Sequence, residues 1–116
     1  MLTINSGGII QVEKIKNHTN ITNVAEKELT LLGRHIDVLK TVIDQGPIGI
    51  IRLSKLTGHP QHMVRYSLRT LENDGLIKPS IHGAVVTNKV HDTLGTLEST
   101  LDDLSTMTKE LKKRLK

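Results

Sequence analysis

Hydrophobic positions change their period along the chain, and each change marks an element. From Arg34 to Gln45, apolar side chains at Ile36, Leu39, Val42 and Ile43 recur at spacings of three and four, which predicts a helix with one core-facing stripe, stopped by Gly46-Pro47. A second, shorter helix is predicted from about Ile50 to Thr57, with Ile50, Leu53 and Leu56 inward and Gly58 as its left-handed cap. A third begins near Pro60, whose missing N–H costs nothing in a first helical turn. It carries Val64, Leu68 and Leu71 on one stripe and ends at Asn73-Asp74-Gly75. The period then shortens: Leu76-Ile77-Lys78, a turn from Pro79 to Gly83, and Ala84-Val85-Val86-Thr87 read as a two-stranded hairpin.

From Asn88 onward the pattern is helical again and more regular than anywhere else. Val90, Leu94, Leu97, Leu101, Leu104, Thr108, Leu111 and Leu115 alternate at spacings of four and three, the signature of a coiled-coil seam with one polar position. At about 1.5 Å per residue this helix is roughly 40 Å long, more than a small three-helix core can cover. A second copy of the same stripe is the simplest cover, so these eight residues are the expected dimerisation seam. Charge is segregated along it. Asp92, Glu98, Asp102 and Asp103 precede Lys109, Lys112, Lys113, Arg114 and Lys116. An antiparallel pair sets opposite charges side by side, while a single helix gains from the same distribution through its dipole, so both orientations stay open.

The first third is less patterned. Ile9 to Ile15 reads as a strand, with a short helix as the alternative, and Asn23 to Leu32 as a helical turn or two that either runs on into the first core helix or breaks at Gly33. The chain thus divides into an extension over 1–32, a helical core with hairpin over 33–87, and a long helix over 88–116.

Composition narrows the chemistry. With no cysteine in 116 residues there is no disulfide framework, Cys-based zinc site or thiol nucleophile. No apolar run approaches the roughly 18 residues of a membrane span. The first ten residues lack the basic start and apolar stretch of a signal peptide, so a cytoplasmic location is expected. The chain has no Phe or Trp and a single Tyr, so its core must be aliphatic and a domain this small gains from burying surface in a dimer. No paired carboxylates in an apolar setting, no glycine-rich phosphate loop beyond Gly7-Gly8 and no Ser-His-Asp spacing point to an enzyme or to a cofactor. His59 and His62 are three apart but have no Cys or carboxylate nearby in sequence, so no metal site is predicted.

The net charge of +4 is not spread evenly. Residues 33–87 carry seven bases against four acids, and no acidic side chain falls between Asp44 and Glu72, a gap that holds Arg52, Lys55, Arg65 and Arg69. Such a segment suits an anionic partner.

Three runs carry a family likeness: Leu53-Ser54-Lys55-Leu56-Thr57-Gly58, then Val64-Arg65-Tyr66-Ser67-Leu68-Arg69-Thr70-Leu71-Glu72, then Asp74-Gly75-Leu76-Ile77. They resemble the core of archaeal and bacterial winged-helix transcriptional regulators, and the tail is similar to that of archaeal members with a C-terminal coiled coil. The resemblance implies a mainly α fold: a winged helix-turn-helix, made of a three-helix core plus a short β-hairpin wing, with a long C-terminal coiled-coil helix. It also implies a homodimeric, nucleoid-associated regulator of transcription that binds double-stranded DNA through its third helix.

A helix fits the major groove and presents side chains to base edges and phosphates. With Val64, Leu68 and Leu71 inward, Gln61, His62, Arg65, Tyr66 and Arg69 lie on or near the outer face. Gln suits adenine and Arg suits guanine or phosphate. The Tyr66 hydroxyl is either a phosphate donor or part of a packed, half-buried ring. Arg52 and Lys55 add backbone contacts, as do the helix starts near Gly49 and Pro60, and Lys78, His82 and the Gly83 backbone form a candidate wing for the adjacent minor groove or backbone. The alternative from another class is a winged-helix scaffold that binds other proteins and no nucleic acid.

Overall fold

A period of 3.6 governs most of the chain in three dimensions, and a period of 2 governs the rest. The computed structural model describes residues 2–4, 10–12 and 20–116. Two short strands, β1 (Leu2–Ile4) and β2 (Ile10–Val12), pair antiparallel with Leu2 opposite Val12. β2 therefore matches the middle of the strand expected over Ile9 to Ile15, whose other residues lie outside the described ones. Its partner β1 was not anticipated. A short 3-10 turn over Asn20–Thr22 leads into α1 (Asn23–Gln45), which β2 flanks.

Of the two readings at Gly33 the continuous one holds, and α1 runs through it without a break. A Cβ at that position would meet nothing within 4 Å, so no packing constraint asks for glycine. Its helix penalty of about 1 kcal/mol is small against the propagation of a helix 23 residues long.

Two further helices, α2 (Ile50–Thr57) and α3 (Gln61–Asn73), pack on α1 and on each other. The core they enclose holds Val38, Leu39, Val42, Ile48, Leu53, Val64, Leu71, Leu76, Ile77 and Val90, and it is aliphatic throughout, as the absence of Phe and Trp requires. Each such side chain contributes roughly 1.5–3 kcal/mol when fully buried.

The inward stripes differ from expectation in detail. Leu56 is 44% exposed, and Thr57 takes its place inside. Thr57 is tolerated because its hydroxyl donates to the Leu53 carbonyl at 2.7 Å, so no polar atom is left unpaired. On α3, Leu68 is only partly buried while Ser67 is fully buried, and on α1 Ile36 is partly buried while Val38 is the sealed position.

The hairpin consists of β3 (Ile77–Ser80) and β4 (Gly83–Val86), antiparallel with Ile77 opposite Val86 and Ser80 opposite Gly83. Its turn is therefore Ile81-His82 alone, shorter than the predicted Pro79 to Gly83. The hairpin is tied to the segment before α2. Ile48 N–H donates to the Ala84 carbonyl at 3.2 Å, and Ala84 N–H donates back at 2.8 Å. Gly83 has φ of +125°, and a Cβ there would collide with the Ile48 backbone, so only glycine allows this approach.

The last helix, α4 (Val90–Lys113), starts two residues later than expected. Val90 is 2% exposed within the core of its own chain and Leu94 packs against that core, so these two residues are not free for a dimer seam. Cover declines beyond them. Leu97 and Leu104 are half-buried, Leu101, Thr108 and Leu111 are exposed, and Leu115 lies past the helix end. With α1 and α4 each about 35 Å long, the molecule measures 55 × 28 × 22 Å and its radius of gyration is 15.7 Å, against about 13 Å for a compact chain of 100 residues. Among the described residues, no helix is long and apolar enough to cross a membrane.

Candidate nucleic-acid interface

α3 presents one face to the core and the other to solvent. Val64, Ser67 and Leu71 are its buried residues. At about 100° per residue, His62, Tyr66 and Arg69 lie opposite them, with Arg65 at one edge. His62, Arg65 and Arg69 are exposed, as is Gln61 at the helix start.

Two polar joints fix the direction of this face. The first is the turn before α3. Gly58, at φ of 78°, caps α2 with its N–H on the Ser54 carbonyl. The Ser54 hydroxyl donates to the His59 carbonyl at 2.7 Å, and His59 N–H donates to the Thr57 hydroxyl oxygen at 3.3 Å. The His59 ring then reaches back to α1, with Nε2 2.9 Å from Asp37 Oδ2. Burial pushes the Asp37 carboxyl above its ordinary range, and the His59 contact only partly offsets this.

The second joint lies at the middle of α3. Arg34 Nε donates to the Ser67 hydroxyl oxygen at 3.1 Å, and His35 Nδ1 lies 2.7 Å from the same oxygen. Arg34 can only donate, so the Ser67 hydroxyl oxygen accepts its bond while forming a second hydrogen bond with His35 Nδ1. Burial holds the His35 pKa below its ordinary value, the Arg34 charge lowers it further, and Asp74 acts in the opposite direction.

The same pair from α1 holds Tyr66. The Arg34 guanidinium carbon stands 5.7 Å from the ring centroid, and the His35 ring lies 6.0 Å away. Tyr66 is 49% exposed, so it is a packed ring with an open side. Arg34 was missed by sequence reasoning because it reaches Ser67 across 33 residues and has no local pattern.

The cations of α2 are arranged differently. Arg52 and Lys55 are exposed, and Arg52 Nη2 donates to Gln45 Oε1 at 3.4 Å. An open groove of about 550 Å³ brings Arg52, Gln61 and Arg65 together around Gly49, Ile50 and Ile51. The first amides of α2 there have no acceptor within the helix. His62, Arg69 and Lys55 are outside that groove. A second groove, between α3 and the hairpin, sets Lys78 near Glu72, and His82 is exposed in the hairpin turn.

Among the described residues the ion pairs are Asp37–His59 and Glu110–Lys113, so Arg52, Lys55, Arg65, Arg69 and Lys78 keep their charge unneutralised. No metal-binding group of three His, Asp or Glu side chains occurs among them. Comparison with known protein families and with curated proteins finds no match to this chain.

Proposed function

We propose that the chain is a winged-helix transcriptional regulator that binds duplex DNA through α3 and acts as a homodimer through α4. The observation that carries this is the outer face of α3, where Gln61, His62, Arg65 and Arg69 are exposed on a helix backed by buried Val64, Ser67 and Leu71. All but the last two residues of that helix lie in a stretch without a single carboxylate from Gln45 to Leu71. The element order supports it too: two helices joined by a glycine-capped turn, then a hairpin against the core.

In this arrangement α3 lies in the major groove, with Arg65 or Arg69 on guanine and Gln61 on adenine. Arg52, Lys55 and the start of α2 hold phosphates and set the orientation. Dimerisation places two α3 helices on a palindrome whose half-sites lie about one helical turn apart, or a multiple of it. Such a protein works on chromosomal DNA in the cytoplasm.

Fluorescence anisotropy of the full chain with a labelled duplex tests this across salt concentrations. Affinity is expected to fall steeply with salt, with a log-log slope of about 0.9 per phosphate contact. Arg65→Ala with Arg69→Ala, at exposed positions, is expected to reduce that slope by about 1, from the arginine that holds phosphate, and to weaken binding at least tenfold. Absence of binding at low salt, or a double variant that binds like the wild type, overturns the proposal.

A protein-binding scaffold is the second reading, favoured by the exposed Leu101, Met107 and Leu111 on α4. It predicts no salt-dependent DNA binding, so the same titration decides between them.

A further inference from the structure

We propose that Ile81 is an apolar wedge that enters the minor groove beside the α3 site and unstacks a base step, so that the protein bends and unwinds the DNA it binds. This deepens the DNA-binding role proposed above and rests on it.

Ile81 is 97% exposed, more than any other large hydrophobic side chain among the described residues. It also sits where nothing can fold it back. Only Ile81 and His82 form the turn, and the Ser80 hydroxyl closes it by donating to the Gly83 carbonyl at 2.6 Å. Pro79 restricts the backbone on one side. On the other, Gly83 is pressed against Ile48, and the paired hydrogen bonds between Ile48 and Ala84 lock the hairpin to the core. Isoleucine is among the apolar side chains that insert between base steps and kink a duplex, and here it stands on a short tip tied to the core.

The surroundings favour nucleic acid over an apolar partner. From Ile77 to Val86 the hairpin has no carboxylate, and Lys78 and His82 stand on either side of the tip in sequence. One lysine is little for a phosphate clamp, so the apolar side chain is what the tip has to offer. The hairpin also lies in the right place. β3 and α3 face each other across the groove lined by Leu68 and Glu72 on one side and by Pro79 and Ser80 on the other. In the proposed complex, with α3 in the major groove, the tip beyond Ser80 lies over the neighbouring backbone, at the edge of the minor groove.

The test uses the full chain, a relaxed closed circular plasmid with topoisomerase, and a short duplex carrying a dye at each end. The wild type is expected to change the linking number in proportion to bound protein and to shorten the dye distance, consistent with a kink of about 20–90°. Ile81→Ala is expected to lose both effects while its low-salt affinity stays within about tenfold, because phosphate contacts dominate that affinity. Ile81→Met, which keeps an apolar tip, is expected to retain them. Circular dichroism checks that these surface variants keep their helices. If the wild type binds but changes neither linking number nor distance, or if Ile81→Ala distorts DNA as fully as the wild type, the wedge is overturned and DNA binding stands. If the wild type does not bind, both fall together.

Discussion

Ser67 holds more of this fold together than its size suggests. Its hydroxyl is the hydrogen-bond partner on α3 of two α1 side chains, Arg34 and His35, the same pair that stands against Tyr66. Ser67→Ala leaves those donors and acceptors without their partner, and is expected to lower stability by about 1–3 kcal/mol in urea denaturation. pH separates two other residues by sign. The folded pKa of His35 lies below its ordinary 6.5, so the unfolded chain takes up the proton first. The stability this group contributes is complete above pH 6.5 and is lost as pH falls through the lowered folded value. His35→Gln is expected to flatten that decline. Asp37 runs the other way, because its folded pKa lies above the ordinary 3.8. Its contribution is complete below pH 3.8 and is lost as pH rises through the raised folded value. The stability of Asp37→Asn relative to the wild type is therefore expected to improve as pH climbs through the same range. Urea titrations of both variants across acid pH read the two slopes separately.

At the scale of elements, glycine positions give contrasting expectations. Gly95 lies inside α4, and a Cβ there meets nothing within 4 Å. Gly95→Ala is expected to stabilise by about 0.5–1 kcal/mol and raise the melting temperature by a few degrees. Gly83→Ala meets the Ile48 backbone at a positive φ and is expected to lower it. The elements themselves were legible in the sequence: α2, α3, the hairpin and α4 fall within a few residues of where period and glycine positions put them. Partial failures came where a small polar residue competed with a leucine for the inside. Leu56 lost to Thr57 because a threonine can satisfy its hydroxyl on the carbonyl four residues back, an option that hydrophobicity ignores. Ser67 went unnoticed because its partners lie on α1, more than thirty residues away. The cations of the candidate site were readable from charge spacing alone, but their grouping was not. Nothing local says that Arg52 and Arg65 share a groove with Gln61, or that Arg34 lies over Tyr66.

For the molecule as a whole, the open question is what covers the far part of α4. Val90 and Leu94 are satisfied within the chain, whereas Leu111 is 54% exposed and Leu101 and Met107 are exposed with it. If a second copy covers this stripe, Leu104→Glu with Leu111→Glu is expected to shift the mass measured by light scattering from twice 12.9 kDa to that value. It should also weaken binding to a palindromic duplex far more than to a single half-site. A wild type that already weighs 12.9 kDa removes the homodimer from the proposal, and a variant that stays at twice that mass removes α4 as its seam.

The close contact between Gly83 and Ile48 bears on how such a protein changes over generations. Position 83 admits no other residue without moving backbone, while its neighbours at 81 and 82 project into open water. Mutation is thus free to exchange what the tip displays and is barred from altering how the tip is held. A lineage built on this frame can change what the tip displays through two adjacent codons, with the fold inherited unchanged.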